Sequence, residues 1–184
     1  MRNIEQLIEE LIPPNNYQHR RDFTNKHIVS TLTKREKIEV ERNLTKMLHS
    51  KDDVLIGETL ALIKSTESLP TLKKRLDLEK KANSKILWAK YINDIKDGDE
   101  EMIEIAITEF DNVTDKYSRI QVFYNLAGFS DSRINDKIRS FINHKDYLTA
   151  YNARTSLGID TEEWLKKRQI KNVTLTKKWW EIWK

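Results

Sequence analysis

Nine carboxylates fall between residues 94 and 115 (Asp94, Asp97, Asp99, Glu100, Glu101, Glu104, Glu109, Asp111 and Asp115), with Lys96 as the only cation. Carboxylates at this density suit three kinds of chemistry. Two of them across a cleft could hydrolyse a glycoside. Several around a turn could hold calcium. A row of them could attract a basic partner. Their crowding speaks against the first, because such a run is ordinarily a solvated face. Asp94, Asp97, Gly98, Asp99 and Glu101 share residue types with a calcium loop, but their order departs from the alternating pattern and no Glu closes the twelfth place. A solvated or partner-binding surface remains.

Other chemistries have weaker support. The chain has no cysteine, which excludes disulfides, thiolate metal sites and a Cys nucleophile. His19, His27, His49 and His144 fall in no HExxH or other ligand-spaced motif. The four glycines (Gly57, Gly98, Gly128, Gly158) are too scattered for a phosphate-binding loop. No serine sits in a nucleophile elbow. The expectation is a protein with no catalytic set, no metal and no cofactor. A second positive feature is the basic run Lys73, Lys74, Arg75, Lys80, Lys81, Lys85 and Lys90 near Trp88 and Tyr91. It could follow a nucleic-acid backbone. The adjoining acids would repel that backbone, and the register of Trp88 favours burial over base stacking.

The elements that must position these residues are helices. The chain has 184 residues, 34% of them charged, with four glycines and three prolines. That balance favours helices with solvated faces. Asn3 to Ile12 reads as a first helix, stopped by Pro13-Pro14. Residues 15–32 read as an irregular basic segment with a possible short turn of helix. Thr33 and Glu36 form a capping box that opens a second helix, with Ile38, Leu44, Met47 and Leu48 as its inner face. Asp52 or Asp53 caps the next.

From there a pattern recurs at intervals of about thirty residues, the spacing of repeat arrays. Its anchors are Ile56, Leu60, Ile63; Trp88, Ile92, Ile95; Val122, Leu126, Phe129; and a degraded Asn152, Ser156, Ile159. Each triad is spaced i, i+4, i+7, one stripe of a helix. Each is followed by a polar turn and a second helical pattern: Pro70 opens one, Asp97-Gly98-Asp99 precedes another, Thr114 caps the third pair, and Thr161 caps a last helix with Trp164 buried. Short turns keep neighbouring helices antiparallel. Each pair has more apolar surface than it can bury alone, so pairs must stack.

The expected fold is all-α: a short right-handed solenoid of nine or ten helices in one structural domain. Residues 1–51 cap it, 52–168 form four helix pairs, and 169–184 are a tail. That tail holds Trp179, Trp180 and Trp183 among lysines. Three readings compete for it: cover for the last pair, which is favoured, an anchor for a partner, or a membrane-surface segment.

The segment from Leu60 to Leu76, LALIKSTESLPTLKKRL, resembles the short bacterial HEAT-like repeats. The fit rests on Leu60-Ala61-Leu62, the turn at Glu67, Leu69-Pro70 and Leu72. The later repeats keep the spacing and lose the proline, with Glu101, Asn135 and Glu163 near its place. The resemblance implies the solenoid fold and leaves function open, since such arrays serve as scaffolds, inhibitors, nucleic-acid binders and occasional enzymes.

Second helices of such pairs usually line the concave side. The exposed partner-binding set expected there is Lys73, Asp77, Glu101, Glu104, Thr108, Lys137 and Arg139, joined by Asp97, Asp99, Glu100 and Glu109 from the acidic band. Neither a secretory signal nor an apolar membrane-spanning stretch is visible, so a monomeric cytoplasmic protein is expected. The functional expectation is a binding protein for a basic protein partner, in its most concrete form a bacterial immunity protein that neutralises a toxin such as a nuclease. The alternatives are a HEAT-like nucleic-acid-binding or base-repair protein and a general scaffold.

Overall fold

A computed structural model describes residues 2–20 and 23–166. The Trp179/Trp180/Trp183 tail lies outside the described residues. All regular structure among the described residues is helical. The chain divides into two compact units, Met1–Thr114 and Asp115–Lys184.

In the first unit, α1 (Ile4–Leu11) starts at Asn3, whose side chain accepts the Glu5 N–H at 2.8 Å. It ends before Pro13, which cannot continue a helix. Two short helices follow, α2 (Tyr17–Arg20) and α3 (Lys26–Ser30), where the sequence suggested one turn at most. Arg20 holds this segment in place. Its guanidinium donates to the Pro13 carbonyl at 2.6 Å and to both oxygens of Asp53, the N-cap of α5. With these two, eleven α-helices and one 3-10 turn precede a further helical stretch over residues 162–166, more than the nine or ten expected.

The longer helix α4 (Lys34–Leu48) opens with the Thr33–Glu36 capping box. Its inner face differs from the expected one. Glu36, Val40, Leu44 and Leu48 are buried at steps of four residues, Met47 is half-buried, and Ile38 is 61% exposed. The reason is the row itself: a stripe stepping i, i+4, i+8, i+12 places Ile38 on the opposite side of the helix. Glu36 can occupy the row because Arg2 and Thr33 satisfy its oxygens.

Next come α5 (Val54–Leu62), a 3-10 turn at Thr66–Ser68, α6 (Leu69–Leu78) with Pro70 in its first turn, α7 (Ala82–Lys96) and α8 (Glu100–Asp111). Pro70 is tolerated there because a first-turn N–H has no intrahelical partner to lose. The centre of this unit is α7, which packs against α5, α6 and α8. Ile86, Trp88, Ala89, Tyr91, Ile92 and Ile95 are all buried along it. Gly57 on α5 makes the α5–α7 approach possible: a Cβ there would stand 2.5 Å from Cζ3 of Trp88 and 2.7 Å from Cδ2 of Tyr91.

The second unit contains α9 (Lys116–Ala127), α10 (Ser132–Arg139) and α11 (Tyr147–Ser156), with α9 packed on both others. Asp115, not Thr114, caps α9: its carboxylate accepts the Ser118 N–H at 2.7 Å. Aspartate is the stronger cap at that place because its charge also favours the helix N-terminus. Val122, Leu126 and Phe129 are buried as the stripe requires. The degraded fourth triad is only partly covered, and α11 instead buries Thr149, Ala150 and Ala153. Trp164 is half-buried where full burial was expected. It stacks face to face on Tyr147 at 5.7 Å between ring centroids, with the Arg154 guanidinium over its ring.

Candidate functional site

The acidic band begins in the last turn of α7 and continues through α8. The link between them is Asp97-Gly98-Asp99, where Asp97 takes φ 55° and Gly98 φ 119°. Glycine meets that second angle without the penalty a Cβ would bring. The buried Asn93 side chain holds the turn by accepting the Asp99 N–H at 2.9 Å.

Five of the carboxylates meet lysines or cap helix N-termini. Asp94 pairs with Lys90, and Asp97 with Lys64. Asp99 caps α8, accepting the Met102 N–H at 3.0 Å, and pairs with Lys96. Burial pushes the Asp99 carboxyl up, but the bonds from Lys96 and Met102 outweigh it and hold the group below its ordinary value. Glu109 lies 2.6 Å from Lys85 Nζ. That bond holds its carboxyl below the usual range, against the effect of burial. Asp115 caps α9.

Glu100, Glu101, Glu104 and Asp111 stand on the exposed face of α8, with Thr108 among them. These positions are three and four residues apart and therefore share a face. Of them Glu101 meets Lys73 of α6, with Oε2 to Nζ at 2.7 Å, a bond that raises the ammonium above its ordinary value. Asp111 was not among the expected binding residues, yet it lies seven residues beyond Glu104 on the same row. The helical period alone could have found it.

The other expected residues are distributed as follows. Asp77 is exposed and Lys73 half-buried on α6. Lys137 is half-buried and Arg139 exposed at the end of α10, in the second unit. Arg139 pairs with Asp136 at 2.8 Å and borders a shallow groove lined by Ser130, Asn135, Ser156 and Ile159. Asp97, Asp99, Glu100, Glu101, Glu104, Thr108 and Glu109 all lie on α8 or the turn that leads into it, but Asp99 and Glu109 are mainly structural.

Among the described residues, no group of three or more His, Asp or Glu is arranged to hold a metal ion. No helix among them is long and apolar enough to cross a membrane. Trp88 is 1% exposed, so its ring is closed to base stacking. Lys73, Lys85 and Lys90 of the basic run already have carboxylate partners.

The chain matches no protein-family model, no curated protein and no solved structure. Its own geometry must carry the functional argument. What that geometry offers is an exposed acidic helix face, set by the Asp97-Gly98-Asp99 turn and packed on α7, the central helix of its unit.

Proposed function

We propose that this chain is a non-enzymatic protein-binding module, in its most concrete form a bacterial immunity protein that uses the α8 face to neutralise a basic toxin such as a nuclease. The observation that carries this reading is the exposed acidic face of α8. Glu100, Glu101, Glu104 and Asp111 stand exposed on one side of that helix, at the three- and four-residue steps that align them. A nuclease must be basic where it grips nucleic acid. An acidic face held on a rigid helix can cover such a site with fast, steered association.

The same reading takes the helix pairs as a HEAT-like solenoid of cytoplasmic, monomeric character. Two features support the stacking. First helices of successive pairs pack together, α5 on α7 and α9 on α11. Side chains also pair across about one repeat: Lys73–Glu101, 28 residues apart, Lys116–Asp146, 30 apart, and Tyr124–Asn152, 28 apart.

The test begins with the product of the adjoining gene. Co-expression of this chain should relieve any growth arrest which that product causes. The two purified proteins should bind with an affinity that falls steeply between 50 and 500 mM salt, roughly as for other steered pairs. Reversal of Glu100, Glu101 and Glu104 to lysine should weaken binding by at least about tenfold and flatten the salt dependence. Unchanged affinity in that triple variant rejects the acidic-face reading.

A further inference from the structure

The solvent face of α4 has the opposite character. The buried row Glu36, Val40, Leu44, Leu48 fixes the orientation of the helix. Opposite it lie Lys34, Arg35, Ile38, Arg42 and Lys46, all exposed. Lys34, Ile38, Arg42 and Lys46 follow one another at steps of four, about 6 Å apart along the axis. They make a single ridge roughly 18 Å long, with Arg35 beside it.

Four cations of α6 and α7 behave differently. Lys73, Lys85, Lys90 and Lys96 each meet a carboxylate. On α4, Arg42 has only a 3.9 Å contact with Glu39, its side chain 65% exposed. Among the described residues, no carboxylate lies at ion-pair distance from Lys34, Arg35 or Lys46. Lys34, Arg35 and Arg42 therefore stand about one turn from an isoleucine that is 61% exposed, with Lys46 a further turn along the ridge.

We propose that this ridge is a docking surface for an acidic protein segment that carries an apolar side chain. Charge complementarity selects an anionic occupant. Ile38 selects among anionic occupants, because a phosphodiester backbone gives an aliphatic side chain nothing apolar to cover. A protein segment can seat a leucine or an aromatic ring on Ile38 while its own Asp and Glu meet the surrounding cations. That is the usual anatomy of an interface, with an apolar centre and a polar rim. The surface is separate from the α8 row and opposite in sign, so it calls for a different partner chemistry from that of the proposed function.

The experiment uses the full chain and fluorescence anisotropy with labelled probes at 50 mM salt. Two helical peptides of equal length and charge serve as probes, one with glutamates around a central leucine pair and one with serines in place of the leucines. A DNA duplex and phosphatidylglycerol vesicles compete. The leucine peptide should bind about tenfold more tightly than the serine peptide. Ile38→Ser should abolish that ratio, and R42A/K46A should weaken both peptides several-fold. All these side chains are exposed, so circular dichroism should show unchanged folding. The triple lysine variant of α8 should bind the leucine peptide at least as well as the unaltered chain, which separates this surface from the proposed function. Equal binding of the two peptides, no binding of either, insensitivity to Ile38→Ser, or preference for the duplex or the vesicles would each overturn the proposal.

Discussion

Arg2 and Glu36 join the start of the chain to α4 across 34 residues, with Nε 3.1 Å from Oε1 and Nη2 3.2 Å from Oε2. Glu36 also accepts the Thr33 N–H at 2.9 Å, so one carboxylate closes both the capping box and the N-terminal contact. The Arg2 bond, with those from Thr33, holds the Glu36 carboxyl well below its ordinary range. A depressed carboxylate contributes stability that is complete above its unfolded value, about pH 4.3, and lost as pH falls toward the folded value. Glu36→Gln should therefore lower the urea midpoint by a constant amount from neutral pH down to about pH 5, and the gap should close on further acidification. A gap that widens in acid contradicts this account.

Glu58 behaves with the opposite sign. Burial raises its carboxyl above the ordinary value, against the attraction of Lys26 and Lys90. The fold thus favours the protonated form, an advantage complete below about pH 4.3 and lost as pH rises through the folded value. Glu58→Gln should be more stable than the unaltered chain at neutral pH, with the benefit vanishing near pH 4. Paired thermal melts at pH 4 and pH 7 test the sign.

Gly57 is the contact point of α5 and α7. An added methyl would require the Trp88 and Tyr91 rings to move, and both are buried. Overpacking of this kind costs about 1–3 kcal/mol, against a helix-propensity gain of up to about 1 kcal/mol. Gly57→Ala should be destabilising in urea unfolding and should alter the emission of Trp88. A net gain in stability would show that α5 can shift outward at little cost.

Asp99 anchors the N-terminus of α8. Asp99→Ala removes the cap on Met102 and should cost about 0.5–2 kcal/mol. Hydrogen exchange should locate the loss in the first turn of α8, with α5 protected as before. Uniform loosening of the whole unit would assign Asp99 a wider role.

The Lys73–Glu101 pair is exposed on both sides, at 43% and 60% of the side chains. Pairs in water contribute little to stability. Glu101→Lys should leave the melting temperature within about 2 °C of the unaltered chain. That outcome makes it a clean probe of binding, and a large drop would disqualify it for that use.

Local signals in the sequence were the most legible. Thr33 with Glu36, Pro70 in a first turn and the Asp97-Gly98-Asp99 link all depend on residues whose conformational chemistry acts over one turn. The burial of Trp88 followed from its place in the 3.6-residue period. Ile38 misled because its apolarity suggested the core, while the true row ran through Glu36, whose burial depends on Arg2 far away in sequence. The acidic band was legible as a composition, but its long-range ion pairs were not. Lys64, Lys73 and Lys85 reach it only once the helices have packed.

Those three lysines also bear on how such a chain can change over generations. Lys85 finds its counter-ion within its own α7–α8 pair, but Lys64 and Lys73 find theirs 33 and 28 residues further on, so one helix pair carries part of the charge balance of the next. Excising α7 and α8 would strand cations on what remains as well as uncover its apolar surface. Segments wired together in this way are expected to duplicate or recombine as adjacent blocks, with the junctions falling where no ion pair crosses.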